Sequence, residues 1–177
     1  MLDWHLGMVE SEDGEPRPLG PADALTMARV WLAPIALDGP SPLVVAVAGA
    51  TDVLDGRVAR ATQTTRIGRD LEGLADTAFS TFALVGALRG GRLSPAAGRA
   101  ELVRLGVGFA YAFAVWFGTA ARPDARVLRA ARLTTPVRAG GLVAAGAGRR
   151  RLGDALVLAG CGWSVAEVVR AVARRGG

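Results

Sequence analysis

Apolar residues along this chain are broken by short polar interruptions at spacings that predict helices from end to end. Charge-free runs cover 39–51, 77–88, 105–121, 139–148 and 155–166, and most can be extended by residues of helical period. The pattern predicts six helices, near 22–38, 42–62, 66–88, 100–121, 134–148 and 153–172. Pro42 and Pro95 suit helix starts, Gly90 and Gly91 suit a stop, and Pro123 before Asp124 marks a turn. Pro34 is expected to kink the first helix, and Pro136 to lie in the first turn of the fifth or just inside it. Only the run 105–121 approaches the roughly 18 residues of a plain membrane span.

Composition extends this picture. With 177 residues, 51% of them apolar, and a mean hydropathy of +0.31, the chain fits one all-α unit, a polytopic membrane bundle of about six transmembrane helices lined by polar groups. Hydropathy alone leaves a soluble helical bundle open. The expected organisation is an N-terminal cytoplasmic tail or interfacial segment over 1–20 and a membrane domain over 21–177. The first sixteen residues lack the positive start and apolar stretch of a signal peptide, and read as a tail or as a short surface helix on Leu2, Trp4 and Leu6. The net charge of +5 comes entirely from arginine, because the chain has no lysine. With cytoplasmic termini, twelve arginines flank the inner ends of the helices and six the outer ends. That bias sets the termini inside, and the run Arg149–Arg151 runs against it. The same charge favours anionic lipid surfaces. Cys161 is the lone cysteine, so no intrachain disulfide can form, and His5, the lone histidine, lies outside any chemical pattern.

Charge inside the second and third helices needs a reason. Asp52, Asp55, Gly56, Ala59 and Arg60 form D-x-x-D-G-x-x-A-R, and Gly68, Glu72 and Asp76 follow as G-x-x-x-E-x-x-x-D. At about 100° per residue, Asp52, Asp55 and Ala59 share one helix face with Gly56 beside them. Gly68, Glu72 and Asp76 repeat every four residues on another. Two helices joined by a short turn could aim four carboxylates into one crevice, an arrangement that repels itself unless cations enter. Hard oxygen donors suit Mg²⁺ or Mn²⁺, and those ions suit a pyrophosphate substrate. Gly56 and Gly68 permit close approach of a ligand, Ala59 keeps space open, and Arg60 offers a planar fork of donors for phosphate.

These residues resemble the signature of the CDP-alcohol phosphatidyltransferases. Leu25, Thr26, Arg29 and Pro34 are similar to the first-helix pattern that commonly precedes that signature. Two departures stand out: seven residues separate Arg60 from Gly68 where the family has eight, and Glu72 stands where the family usually has aspartate. Asp70 is the alternative ligand to Glu72, but lies off the face that carries Asp76. The resemblance implies a transferase of phospholipid biosynthesis. An acceptor hydroxyl attacks the lipid-side phosphorus of a CDP-linked donor and CMP departs. It implies that Asp52, Asp55, Glu72 and Asp76 hold two Mg²⁺ or Mn²⁺ ions, that Asp76 doubles as general base, and that Asp52, Gly56, Ala59, Arg60 and Gly68 contact the nucleotide. It also implies a homodimer in the cytoplasmic membrane, with its site on the cytoplasmic side and no nucleic-acid partner. Arg132 and Arg138, flanking Thr134 and Thr135, could bind a phosphorylated polyol such as glycerol 3-phosphate or inositol phosphate. Arg132 reads equally as an interfacial anchor, and the acceptor stays open. The alternative is a catalytically degenerate membrane homologue acting as a binding or interaction protein, for which Gly86 and Gly90 offer small-residue spacing. An aromatic prenyltransferase would need a second acidic motif, and none follows Asp76.

Overall fold

In the computed structural model, side chains are described for residues 20–58, 71–118 and 123–174, and backbone also for 9–10, 16–17, 59–61, 66–70, 119 and 175–176. Among these residues six helices run in the order α1 (Pro21–Leu37), α2 (Pro42–Ala61), α3 (Arg66–Arg89), α4 (Pro95–Phe113), α5 (Ala125–Gly146) and α6 (Arg150–Gly176). A π-helical turn, Ala114–Thr119, extends α4. Two two-residue strands, β1 (Val9–Glu10) and β2 (Pro16–Arg17), pair antiparallel ahead of α1. Leu2, Trp4 and Leu6, the proposed surface helix, lie outside the described residues. The chain is an all-α membrane protein, divided into two compact units, Met1–Gly86 and Ala87–Gly177.

In the first unit, α1 opens on Pro21 behind Gly20, whose N–H donates to Asp23 Oδ2 at 2.7 Å, satisfying one of the donors a helix start leaves free. Asp23, Thr26, Arg29, Ala33 and Ala36 are its buried residues, one stripe at spacings of three and four. The stripe is polar in its first half and small and apolar in its second. The helix continues through Pro34 without interruption. Gly39, at a φ of 132°, turns the chain between α1 and α2. Ser41 Oγ then accepts from Val44 N–H at 3.2 Å, capping α2. Val45 and Ala48 of α2 and Ala75, Phe79 and Ala83 of α3 are buried. A Cβ placed on Gly86 would lie 2.2 Å from the carbonyl oxygen of Ala36, so α3 passes the end of α1 at backbone contact.

In the second unit, Gly91 at a φ of 64° ends α3. Ser94 Oγ caps α4 by accepting from Ala97 N–H at 3.2 Å, and Asp154 Oδ1 of α6 accepts from Ser94 N–H at 2.8 Å. The helix therefore starts at Pro95 rather than near 100, because the cap and the proline decide the start and the interrupting charges at 99, 101 and 104 do not. Similarly α5 starts at Ala125, well before 134: Asp124 Oδ1 accepts from Arg126 N–H at 2.7 Å, and the arginines that resembled a loop lie along an exposed helix face. Pro136 consequently sits deep inside α5 rather than in its first turn or just inside it. Helices α5 and α6 cross closely. A Cβ on Gly141 would meet Val157 Cγ2 at 2.8 Å, and one on Gly153 would meet the Gly141 carbonyl oxygen at 2.9 Å. Tyr111, Val115, Val168 and Ala171 form a buried cluster between α4 with its extension and α6.

Large apolar side chains are widely exposed, while a few polar ones are buried in a mostly apolar interior. Trp31, Trp116 and Phe117 are 77%, 73% and 78% exposed, whereas Arg29 and Thr134 are 1% and 0% exposed. Exposed aromatic and aliphatic side chains on the helices, with the few buried charges paired, are what a hydrocarbon surrounding selects. Among the described residues three helical stretches are long and apolar enough to cross a membrane: Leu71–Arg89, Pro95–Gly118 and Arg150–Arg174. All three are longer than the charge-free runs 77–88, 105–121 and 155–166 that they overlap, because each helix continues through the charged residues that bound its run.

Candidate active site

The acidic motif forms around a residue that no ligand pattern singles out. Arg29 projects from the polar half of the α1 stripe, and all three of its guanidinium nitrogens reach carboxylates. Nη1 donates to Asp52 Oδ1 at 3.1 Å, and Nη2 donates to Asp55 Oδ2. Nε lies 2.9 Å from Asp76 Oδ1 as an ion contact that is not aligned as a hydrogen bond. Thr26 Oγ1, one turn earlier on α1, also donates to Asp55 Oδ2 at 3.4 Å. A planar fork of donors is the side chain suited to such convergence, and its own burial is tolerable only because the carboxylates are present.

The carboxylates in turn gather. Single oxygens of Asp52, Asp55 and Glu72 lie within 4.8 Å of one another, so α2 and α3 bring three of the four expected acids into one group. Asp76, one turn beyond Glu72, contacts Arg29 and is not part of that group. Asp55 is buried, and its Oδ1 is without a hydrogen-bond partner. A buried carboxylate oxygen left unpaired costs free energy unless a cation or donor completes it. Three hard anionic oxygen donors and one orphaned buried oxygen fit Mg²⁺ or Mn²⁺, and the set contains no soft ligand that would favour another class of metal.

Other expected positions are placed less completely. Gly56, half-buried, follows Asp55 on α2. Ala59 and Arg60 lie in α2, and Gly68 and Asp70 in α3, with their side chains and surroundings outside the described residues. Arg132 is exposed on α5.

Arg138 belongs to a second polar group. Its Nη1 donates to Glu101 Oε1 of α4, its Nη2 lies 3.4 Å from Thr135 Oγ1, and its buried Nε has no hydrogen-bond partner. Glu101 also accepts from Arg104 Nε at 2.9 Å and from the Cys161 thiol at 2.8 Å. Beside this group Thr134 and Ser164 hydroxyls are 2.7 Å apart. Glu101 was not distinguished in the sequence. An isolated acid in an apolar helix, with arginines at helical reach, is the signal that could have found it.

A family model described as CDP-alcohol phosphatidyltransferase matches residues 21–146, from the first residue of α1 to the last of α5. No curated protein and no solved structure matches the chain.

Proposed function

Because the chain belongs to the CDP-alcohol phosphatidyltransferase family, we propose that it moves a phosphatidyl-type group from a CDP-linked lipid to a small alcohol in phospholipid biosynthesis. Phosphorylated polyols of the glycerol 3-phosphate or inositol phosphate kind are the first candidates for the acceptor. The observation that carries the reading is the convergence of Asp52, Asp55 and Glu72 within 4.8 Å, with one buried oxygen of Asp55 unpaired.

In this reading Asp52, Asp55, Glu72 and Asp76 hold two divalent cations. When bound, such ions neutralise the pyrophosphate and stabilise departing CMP. Asp76 takes the proton of the acceptor hydroxyl as the new oxygen–phosphorus bond forms and the bond to CMP breaks. Its place beside the three-acid group and against Arg29 is what a held, oriented base requires. Gly56, Ala59, Arg60 and Gly68 contact the nucleotide, and Arg132 and Arg138 serve the acceptor. The protein acts as a homodimer in the cytoplasmic membrane with this site facing the cytoplasm. The twelve-to-six arginine bias supports that orientation.

Purified protein supplied with CDP-diacylglycerol and a panel of alcohols tests the proposal through CMP release. CMP is expected with one acceptor class, only with Mg²⁺ or Mn²⁺ present. Asp76→Asn should lower turnover on the order of 10²-fold or more while nucleotide binding persists. Divalent-ion-dependent binding of the CDP-lipid with no CMP release from any acceptor would instead identify a degenerate homologue.

A further inference from the structure

Arg29 is the most fully buried ionised side chain among the described residues, and its partners are the acids assigned above to cation binding. Its guanidinium contacts Asp52, Asp55 and Asp76, and Thr26 supplies a further donor to the same Asp55 oxygen. The three carboxylates it touches, Asp52, Asp55 and Asp76, carry three formal negative charges against its one positive charge. Carboxylates brought this close raise one another's energy, and the group stays assembled only if some positive charge is present at all times. A divalent ion supplies that charge only when bound. Arg29 supplies it permanently, from a helix that carries none of the acidic motif.

We propose that Arg29 is the resident counter-cation of the acidic group: it holds the carboxylates together in the ion-free protein, and divalent ions bind against its competing charge. The inference rests on reading Asp52, Asp55 and Glu72 as cation ligands. It distinguishes Arg29 from a residue that merely positions those ligands. A positioning residue strengthens ion binding, so its loss weakens affinity. A competing counter-charge does the opposite, since its loss destabilises the ion-free state selectively and leaves the ion more to gain.

The test is Mn²⁺ titration of detergent-purified full-length protein, with melting followed in chelator and in saturating Mn²⁺. Arg29→Met removes the charge and keeps much of the volume, whereas Arg29→Lys keeps the charge and loses the fork. Arg29→Met is expected to bind Mn²⁺ about tenfold more tightly than wild type, the scale of removing one charge a few ångströms from a divalent ion in a wetted crevice. It should melt well below wild type in chelator, with more than half of that deficit closed by Mn²⁺. Arg29→Lys should stay within about threefold of wild-type affinity. Recovery of folded Arg29→Met only when Mn²⁺ is present throughout purification would also support the proposal. Unchanged or weaker Mn²⁺ binding in Arg29→Met, a melting deficit that Mn²⁺ leaves untouched, or failure to fold even in saturating Mn²⁺ would each overturn it. Absence of Mn²⁺ binding to wild type would overturn the cation-site reading itself, and this inference with it.

Discussion

One guanidinium faces three carboxylates in the first unit, whereas one carboxylate faces two guanidiniums in the second. Both groups put charge inside apolar helices, where an unpaired ion is costly. They balance it in opposite directions. Around Arg29 negative charge is in excess and Asp55 Oδ1 is left without a partner, so the group has capacity for a cation. Around Glu101 the carboxylate is filled: Arg104, Arg138 and Cys161 all donate to it. The surplus there is positive, and Arg104, at the edge of the group, is partly exposed and can carry its charge toward a polar phase. Buried charge is thus arranged in two ways: in one unit carboxylates outnumber their guanidinium and one oxygen is unpaired, and in the other the carboxylate is bonded by groups on α4, α5 and α6.

The largest expected separation between the groups comes from Glu72. Glu72→Gln should weaken Mn²⁺ binding by at least about tenfold and lower turnover on the order of 10²-fold, because it removes an anionic donor that offsets the ion's dehydration. Glu72→Asp keeps the charge and should retain substantial activity with a changed balance between Mg²⁺ and Mn²⁺, and Asp70→Asn should be mild. Paired titrations and CMP assays check this, and a severe Asp70→Asn defect beside a harmless Glu72→Gln would move the ligand to Asp70.

Glu101→Gln should behave in the opposite manner. Leaving Arg138 without its counter-charge is expected to cost about 3 kcal/mol of stability, the low end for breaking a buried pair, with Mn²⁺ affinity unchanged. Melting with and without Mn²⁺ reads both effects. A Glu101→Gln deficit that Mn²⁺ repairs would erase the distinction between the two groups.

The smallest effect is expected at Asp124, an ion pair at a helix end rather than inside. The Arg126 backbone N–H first, and then Arg174, hold its carboxyl below the usual carboxylate range. A folded-state value below the unfolded one stabilises at pH above the unfolded carboxylate range and ceases to do so as pH falls through the lowered value. Asp124→Ala should therefore lower the melting temperature slightly at neutral pH, and the difference from wild type should shrink on acidification. A difference that grows with acid would contradict this.

The helical frame was largely legible because apolar period and proline punctuation are local signals, and α1, α2 and α3 start and stop near their expected bounds. The late expected starts of α4 and α5 share one cause: Arg99, Glu101, Arg126, Arg129 and Arg132 were read as breaks in hydrophobic runs. A helix tolerates such residues on an exposed face or in a pair formed elsewhere in the chain. The gathering of Asp52, Asp55 and Glu72 was legible for the same local reason, since Asp52 with Asp55, and Glu72 with Asp76, repeat at helical spacing. Arg29 stood out only through its likeness to the first-helix pattern, and its pairing with the acids was not legible, because it is separated from Asp52, Asp55 and Asp76 by the turns between three helices. Glu101 was hidden likewise, its partner Arg138 lying 37 residues away and Cys161 lying 60 away.

Gly86 has a consequence that a geneticist would meet before an enzymologist. Any side chain there collides with the main chain at the end of α1, near Ala36 and Leu37, and main chain cannot rotate aside as a side-chain tip can. Substitutions at this position would thus appear in a screen as complete loss of function, although Gly86 lies ten residues along α3 from Asp76. The phenotype would be one of abundance: misassembled chains are cleared by quality control, and the few that survive are chemically intact.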